Sequence, residues 1–204
     1  MTDNKFNPAY DNKIALKYSK KTIENKIKNK QAFCEEAGLN FDKRVPLLCV
    51  TYTLTDDNNL GMLQDIMVGV LEQAVEIVLT GIGTEKYQKY FTDLADKYST
   101  KVVIVGNSED ERRKIYAASD VILITAFNDE CIDEAQRAMN YGVIPVIPAT
   151  DFTEDYNPNQ ERGNAFVYIK DSPWSLFANI IRATESFRFP YDWKNIQIGA
   201  MENE

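Results

Sequence analysis

The chain has 204 residues, 44% of them hydrophobic, and carries 31 acidic against 23 basic side chains for a net charge of −8. That length and apolar share suit one substantial domain, and an acidic chain without a basic block argues against nucleic acid as a partner. The absence of histidine removes imidazole general bases, His-based triads and His-ligated metals together. Cys34, Cys49 and Cys131 lack CxxC or zinc-ligand spacing and read as buried, reduced thiols of a cytoplasmic protein. The start MTDNKFNP has no apolar leader and no run is long enough to span a bilayer, so no membrane contact is expected.

In chain order, 1–30 is polar and Lys/Asn-rich, with Asn7-Pro8 marking an extended or turn start. Residues 23–39 read as a helix that stops at Gly38. The run 46–54, PLLCVTYTL, is the first core strand, and 55–59, TDDNN, a polar loop. A helix over 60–73 would turn Leu63, Ile66, Met67, Val70 and Leu71 inward. Strand 74–79 runs into Thr80-Gly81-Ile82-Gly83, and helix 85–98 would bury Tyr87, Tyr90, Phe91 and Leu94. Strand 101–105 and a short helix over 110–118 follow.

The rest is organised around 121–142, VILITAFNDECIDEAQRAMNYG. An uninterrupted apolar strand (121–125) leads into an acidic corner, Asn128-Asp129-Glu130, suited to cap a helix and meet its positive end. Cys131, Ala135, Ala138 and Met139 then fall at helical spacing, and Gly142 ends the helix. Strand 143–147, a long polar loop 150–162, strand 166–169 and helix 173–186 complete the pattern. Phe187, Phe189, Tyr191 and Trp193 in the tail are expected to close the core. Alternating strands and helices predict an α/β fold: one Rossmann-like, doubly wound parallel sheet of about six strands, in a single domain. Ligands of such sheets sit where strand carboxyl ends feed helix amino ends.

Each candidate residue has a structural reading beside the functional one. Asp129 and Glu130 are helix-capping carboxylates or ligand contacts. Gly81 and Gly83 are turn glycines or a phosphate cradle. Tyr116 packs in the core or beside an adenine. Arg137 is solvated, pairs with Asp133 or Glu134, or supplies a cation to the corner.

Together the segments resemble a known family. Asn7-Pro8, Asp11, Tyr18 and NKQAFCEEAGL resemble the lead-in WNP…D…Y…NK…LQ…GL of the C-terminal half of bacterial glycogen synthases and plant starch synthases. TGIGTEKYQKYFTDLADKY, RRKIYAASDVILITAF, AMNYGVIPVIPAT and GNAFVY resemble later segments of the same half, in order, as does the tryptophan near the end. The resemblance implies the nucleotide-sugar-binding domain of a GT-B glycosyltransferase fold. It implies ADP-glucose or UDP-glucose as possible ligand, with no cofactor. As partners it implies an N-terminal acceptor domain absent from this chain, or another protein, and a glucan.

The resemblance also marks departures. Where the family carries an arginine and a lysine after the first strand, this chain has Thr53 and Asn58. The two glutamates of the family's E-x7-E motif fall on Asp129 and Arg137, and the glycine after its Pro-Cys falls on Ile132, with Cys131 kept. The T-G-G-L loop becomes Thr150-Asp151-Phe152-Thr153. The expectation is a scaffold whose donor site has lost its cations and its bare glycine backbone. Catalysis is then assigned to no residue, with Thr53, Asn58 and Asp129 as degenerate equivalents. The remaining donor-binding candidates are Gly81, Gly83, Tyr116, Glu130, Cys131, Arg137 and Thr150.

Overall fold

Short runs of buried aliphatic residues form six strands in the computed structural model, which describes residues 4–202. They are β1 (Leu47–Val50), β2 (Glu76–Thr80), β3 (Val102–Val105), β4 (Val121–Leu123), β5 (Ile144–Pro148) and β6 (Phe166–Tyr168). All pair in parallel, in the order β3-β2-β1-β4-β5-β6. The helices are α1 (Lys26–Ala37), α2 (Leu60–Leu71), α3 (Glu85–Lys97), α4 (Glu109–Ala118), α5 (Asp129–Asn140), α6 (Pro173–Ser186) and α7 (Pro190–Ala200). Both faces of the central strands are buried, as helices on either side of a parallel sheet require. The doubly wound α/β architecture expected from the alternation is therefore present. Strand order reverses between β1 and β4, where Leu48 lies opposite Val121 and Cys49 opposite Ile122.

Local sequence sets the helix ends. Gly38, at φ +75°, closes α1 in the left-handed conformation that a side chain would strain. Ser108 and Glu111 form a reciprocal capping box at the start of α4. Asn128 accepts from the Cys131 N–H to cap α5, and Ser172, followed by Pro173, caps α6.

Two expectations need correction. The first strand is four residues long, not nine. Tyr52 and Leu54 are buried beyond its end, where the Leu54 N–H donates to Ile82 O (2.8 Å) and the Thr84 N–H to Leu54 O (3.0 Å). The tail is a helix, α7, and only part of it closes the core. Trp193 is buried and meets Phe187 edge-on at 5.2 Å, whereas Phe189 and Tyr191, flanking Pro190 where the helix begins, are 59% and 68% exposed. The residues 1–3 at the start of the polar segment lie outside the described residues.

The amino-terminal edge of the sheet holds buried charge. Lys30 on α1 donates to Asp120 (2.6 Å), which also accepts from the Leu47 N–H (2.9 Å), so one ion pair ties α1 to the starts of β1 and β4. Lys26, one turn earlier, donates to the carbonyls of Tyr116 (2.6 Å) and Ala117 (3.1 Å) at the C-terminal end of α4. Burial pushes the Lys26 ammonium down to about 7, against the pull of Asp120.

Glu76, at the start of β2, is pushed up to about 7 by burial, with Lys30 offsetting part of the rise. Folding therefore binds a proton that the unfolded chain releases from about pH 4.5, and stability falls as pH rises from there to about 7. Glu76→Gln should flatten that part of the profile and raise stability at pH 8 on the order of 2 kcal/mol. Urea denaturation across pH checks this; a lower midpoint for the variant at pH 8 would contradict it.

Candidate functional site

The reversal between β1 and β4 brings together the loop after β1, the end of β4 and the amino end of α5. Asn58, in the first of these, is 3% exposed and uses its whole amide. Its Nδ2 donates to Thr53 O (2.7 Å) and to Glu130 Oε2 (2.8 Å). Its Oδ1 accepts from Asn128 Nδ2 (2.7 Å) and faces the Cys131 thiol at 3.6 Å. The Thr125 hydroxyl, itself 2.7 Å from the Tyr52 hydroxyl, donates to Asn58 O. Through its side chain and its carbonyl together, one residue thus joins the loop after β1, the end of β4 and the amino end of α5.

Glu130 completes the lock. Its Oε1 accepts from both the N–H (2.9 Å) and the hydroxyl (2.6 Å) of Thr53, while Oε2 takes Asn58. Burial pushes the Glu130 carboxyl up, but the hydrogen bonds from Thr53 and Asn58 outweigh it and hold the group below its usual value. It is ionised at neutral pH. Asp129, the preceding residue, is exposed, and its carboxylate makes no hydrogen bond or ion pair among the described residues. The Cys131 thiol is buried and pushed up to about 12, mainly by that burial, so no thiolate nucleophile is available at neutral pH.

Other candidates lie elsewhere or serve packing. Gly83 pairs with Leu54, and a Cβ there would run into Leu54 O and stand 2.5 Å from Leu54 Cβ. At Gly81 a Cβ would come within 2.8 Å of the Ile104 methyl. Both glycines allow close approach of backbone to its neighbours. Tyr116 is fully buried and donates its hydroxyl to Glu134, so its ring is walled off from a base. Arg137 sits in the last turn of α5, about 12 Å along the helix from Asp129. It is held there by Asp133 (3.3 Å) and Glu134 (3.4 Å), with Phe6 beneath its guanidinium. The pairing with Asp133 and Glu134 is thus the reading of Arg137 that the structure bears out, and the alternative of a cation supplied to the corner is not.

After β5, the Thr150 N–H donates to the Thr153 hydroxyl (3.1 Å) and the two hydroxyls meet at 2.8 Å, while Phe152 packs against the core. On the same sheet edge a pocket of about 490 Å³ opens between Phe127, Pro148, Ala149, Tyr168 and Ile169. Thr125 and Tyr52 were not foreseen as parts of the corner; a polar residue closing an apolar run was the only signal for Thr125. Among the described residues no group of three or more Cys, Asp or Glu could hold a metal, and no helix is long and apolar enough to cross a membrane.

No protein-family model matches the chain. Against individual proteins it is 30% identical to a glycogen synthase of Cellvibrio japonicus over 98% of this chain and 43% of that protein. Its fold matches the catalytic domain of starch synthase IV from Arabidopsis thaliana, solved with ADP and acarbose, at a TM-score of 0.84. That match has 22% identity and covers the whole of this chain and 44% of that one. It also matches the C-terminal domain of a group 1 glycosyltransferase from Francisella tularensis at a TM-score of 0.58 and 12% identity, covering 89% of this chain and 95% of that domain. The chain spans less than half the length of the curated relatives it matches. It resembles the C-terminal domain of bacterial glycogen and plant starch synthases, and shares the fold of the matching half of a starch synthase catalytic domain.

Proposed function

We propose that this domain keeps the donor-domain scaffold without its donor chemistry, is inactive in transfer alone, and acts in binding or assembly with a glucan or a protein partner. The supporting observation is the Glu130 lock. Thr53 and Asn58, where the resemblance implies an arginine and a lysine, carry no charge and spend their donors on a carboxylate of the chain itself. A leaving nucleoside diphosphate needs fixed cations or free N–H groups. Here it would meet ionised Glu130, with Asp129 beside it. Loss of one preorganised donor costs about 3 kcal/mol of barrier, and loss of two about 6 kcal/mol if they add.

A second reading makes the chain the donor half of a divergent ADP- or UDP-glucose-dependent glucosyltransferase that works with an N-terminal acceptor domain. It rests on the 43% span of the relatives and on Asp129, an exposed and unpaired carboxylate at a helix amino end. Either way the chain by itself should not turn over. Incubated with ADP-glucose or UDP-glucose and glycogen, it should release no ADP or UDP above the protein-free rate. Glucan-dependent release by the isolated chain would overturn the proposal.

A further inference from the structure

At the amino-terminal edge of the sheet, opposite the corner just described, a pocket of about 300 Å³ opens between α1, the end of α4 and α7. Phe187 and Trp193 form an aromatic wall, Ile27 and Ala118 an aliphatic one. Its buried ionisable groups are Lys26, Lys30 and Asp120, two basic side chains against one acidic. Asp120 is taken up by Lys30 (2.6 Å), whose ammonium also stands 5.1 Å from the Phe187 ring. Lys26 has only neutral acceptors, the two α4 carbonyls and the Tyr18 hydroxyl at 3.4 Å. The exposed charges at the rim, Lys194 and Glu24, lie 3.8 Å apart and cancel. The indole N–H of Trp193 is buried with no acceptor.

We propose that this pocket is a small-molecule site, separate from the switch-point corner, and that it takes a compact aromatic or heteroaromatic anion. The aromatic wall supplies apolar area to the ring. Negative charge in the guest pairs with the protonated form of Lys26, which no carboxylate contacts directly, in surroundings where that interaction is weakly screened. A bound anion would also favour the ammonium form of Lys26, which burial disfavours. A neutral ring would gain the contact area and leave the excess charge in place. A cationic ring would add to it.

The test uses the chain's two tryptophans. Trp174 is 79% exposed, so Trp174→Phe leaves Trp193 as the one reporter, in the pocket wall. Benzoate should change Trp193 emission saturably, and benzamide should bind at least about tenfold more weakly, with benzamidine weaker still. Lys26→Met should remove the preference for benzoate over benzamide. Should Lys26→Met fail to fold, Ile27→Phe, which fills the pocket and leaves both lysines bonded, should abolish benzoate binding. No saturable change up to about 10 mM benzoate, equal affinity for benzamide, or unchanged binding in Ile27→Phe would each overturn the proposal.

Discussion

Asn58→Ala is expected to cost about 3 kcal/mol of folding stability, because it strands several partners at once. Thr53 O, Glu130 Oε2 and Asn128 Nδ2 each lose a hydrogen bond, and a side chain only 3% exposed is replaced by a void. Asn58→Asp should be no better, since it loses both Nδ2 donors and sets a second carboxylate against Glu130. Asp57→Ala, at the exposed neighbour, is the control and should fall within about 0.5 kcal/mol of the parent. Urea denaturation measures all three. An Asn58→Ala chain as stable as the control would mean that the corner is not held by this residue.

The second large effect lies at the opposite edge. Lys30→Met leaves Asp120 as a buried carboxylate with only the Leu47 N–H to accept from, a situation that costs about 3–5 kcal/mol. Lys30→Met/Asp120→Asn removes the stranded charge while keeping an acceptor for Leu47, and should recover about 2 kcal/mol of the loss. Equal denaturation midpoints for the single and double variants would show that the loss comes from packing of the lysine stem.

The architecture was legible because the sheet is parallel and covered on both faces. Its strands appear as continuous aliphatic runs, and helix ends such as Gly38, Ser108, Asn128 and Pro173 carry their own capping chemistry. Strand length was not legible, because Tyr52 and Leu54 are as buried in the loop as Leu47 and Leu48 are in the ladder. Helix α7 was hidden by a weakly segregated sequence in which Phe189 and Tyr191 face solvent. Pro190 at its first position was the available signal. At the site, resemblance singled out Thr53, Asn58 and Asp129, and placed uncharged Thr53 and Asn58 where it implies cations. That Glu130, rather than Asp129, reaches across to Thr53 and Asn58 depends on contacts 77 and 72 residues apart in sequence. Hydrophobic periodicity carries no such information. The same holds for Lys26 and Lys30, whose helical spacing reads as a polar face until α4 and α7 close over them.

In the proposed reading, Thr53, Asn58 and Glu130 in the corner between β1 and β4 are spent on one another and offer a sugar-nucleotide donor no cation. Isothermal titration of ADP-glucose, UDP-glucose, ADP and UDP into the chain at low salt tests it most directly. The expected result is no binding heat at millimolar ligand, a dissociation constant weaker than about 1 mM. Micromolar binding of any of the four would contradict it, and would favour the reading in which the chain is the donor half of a working enzyme.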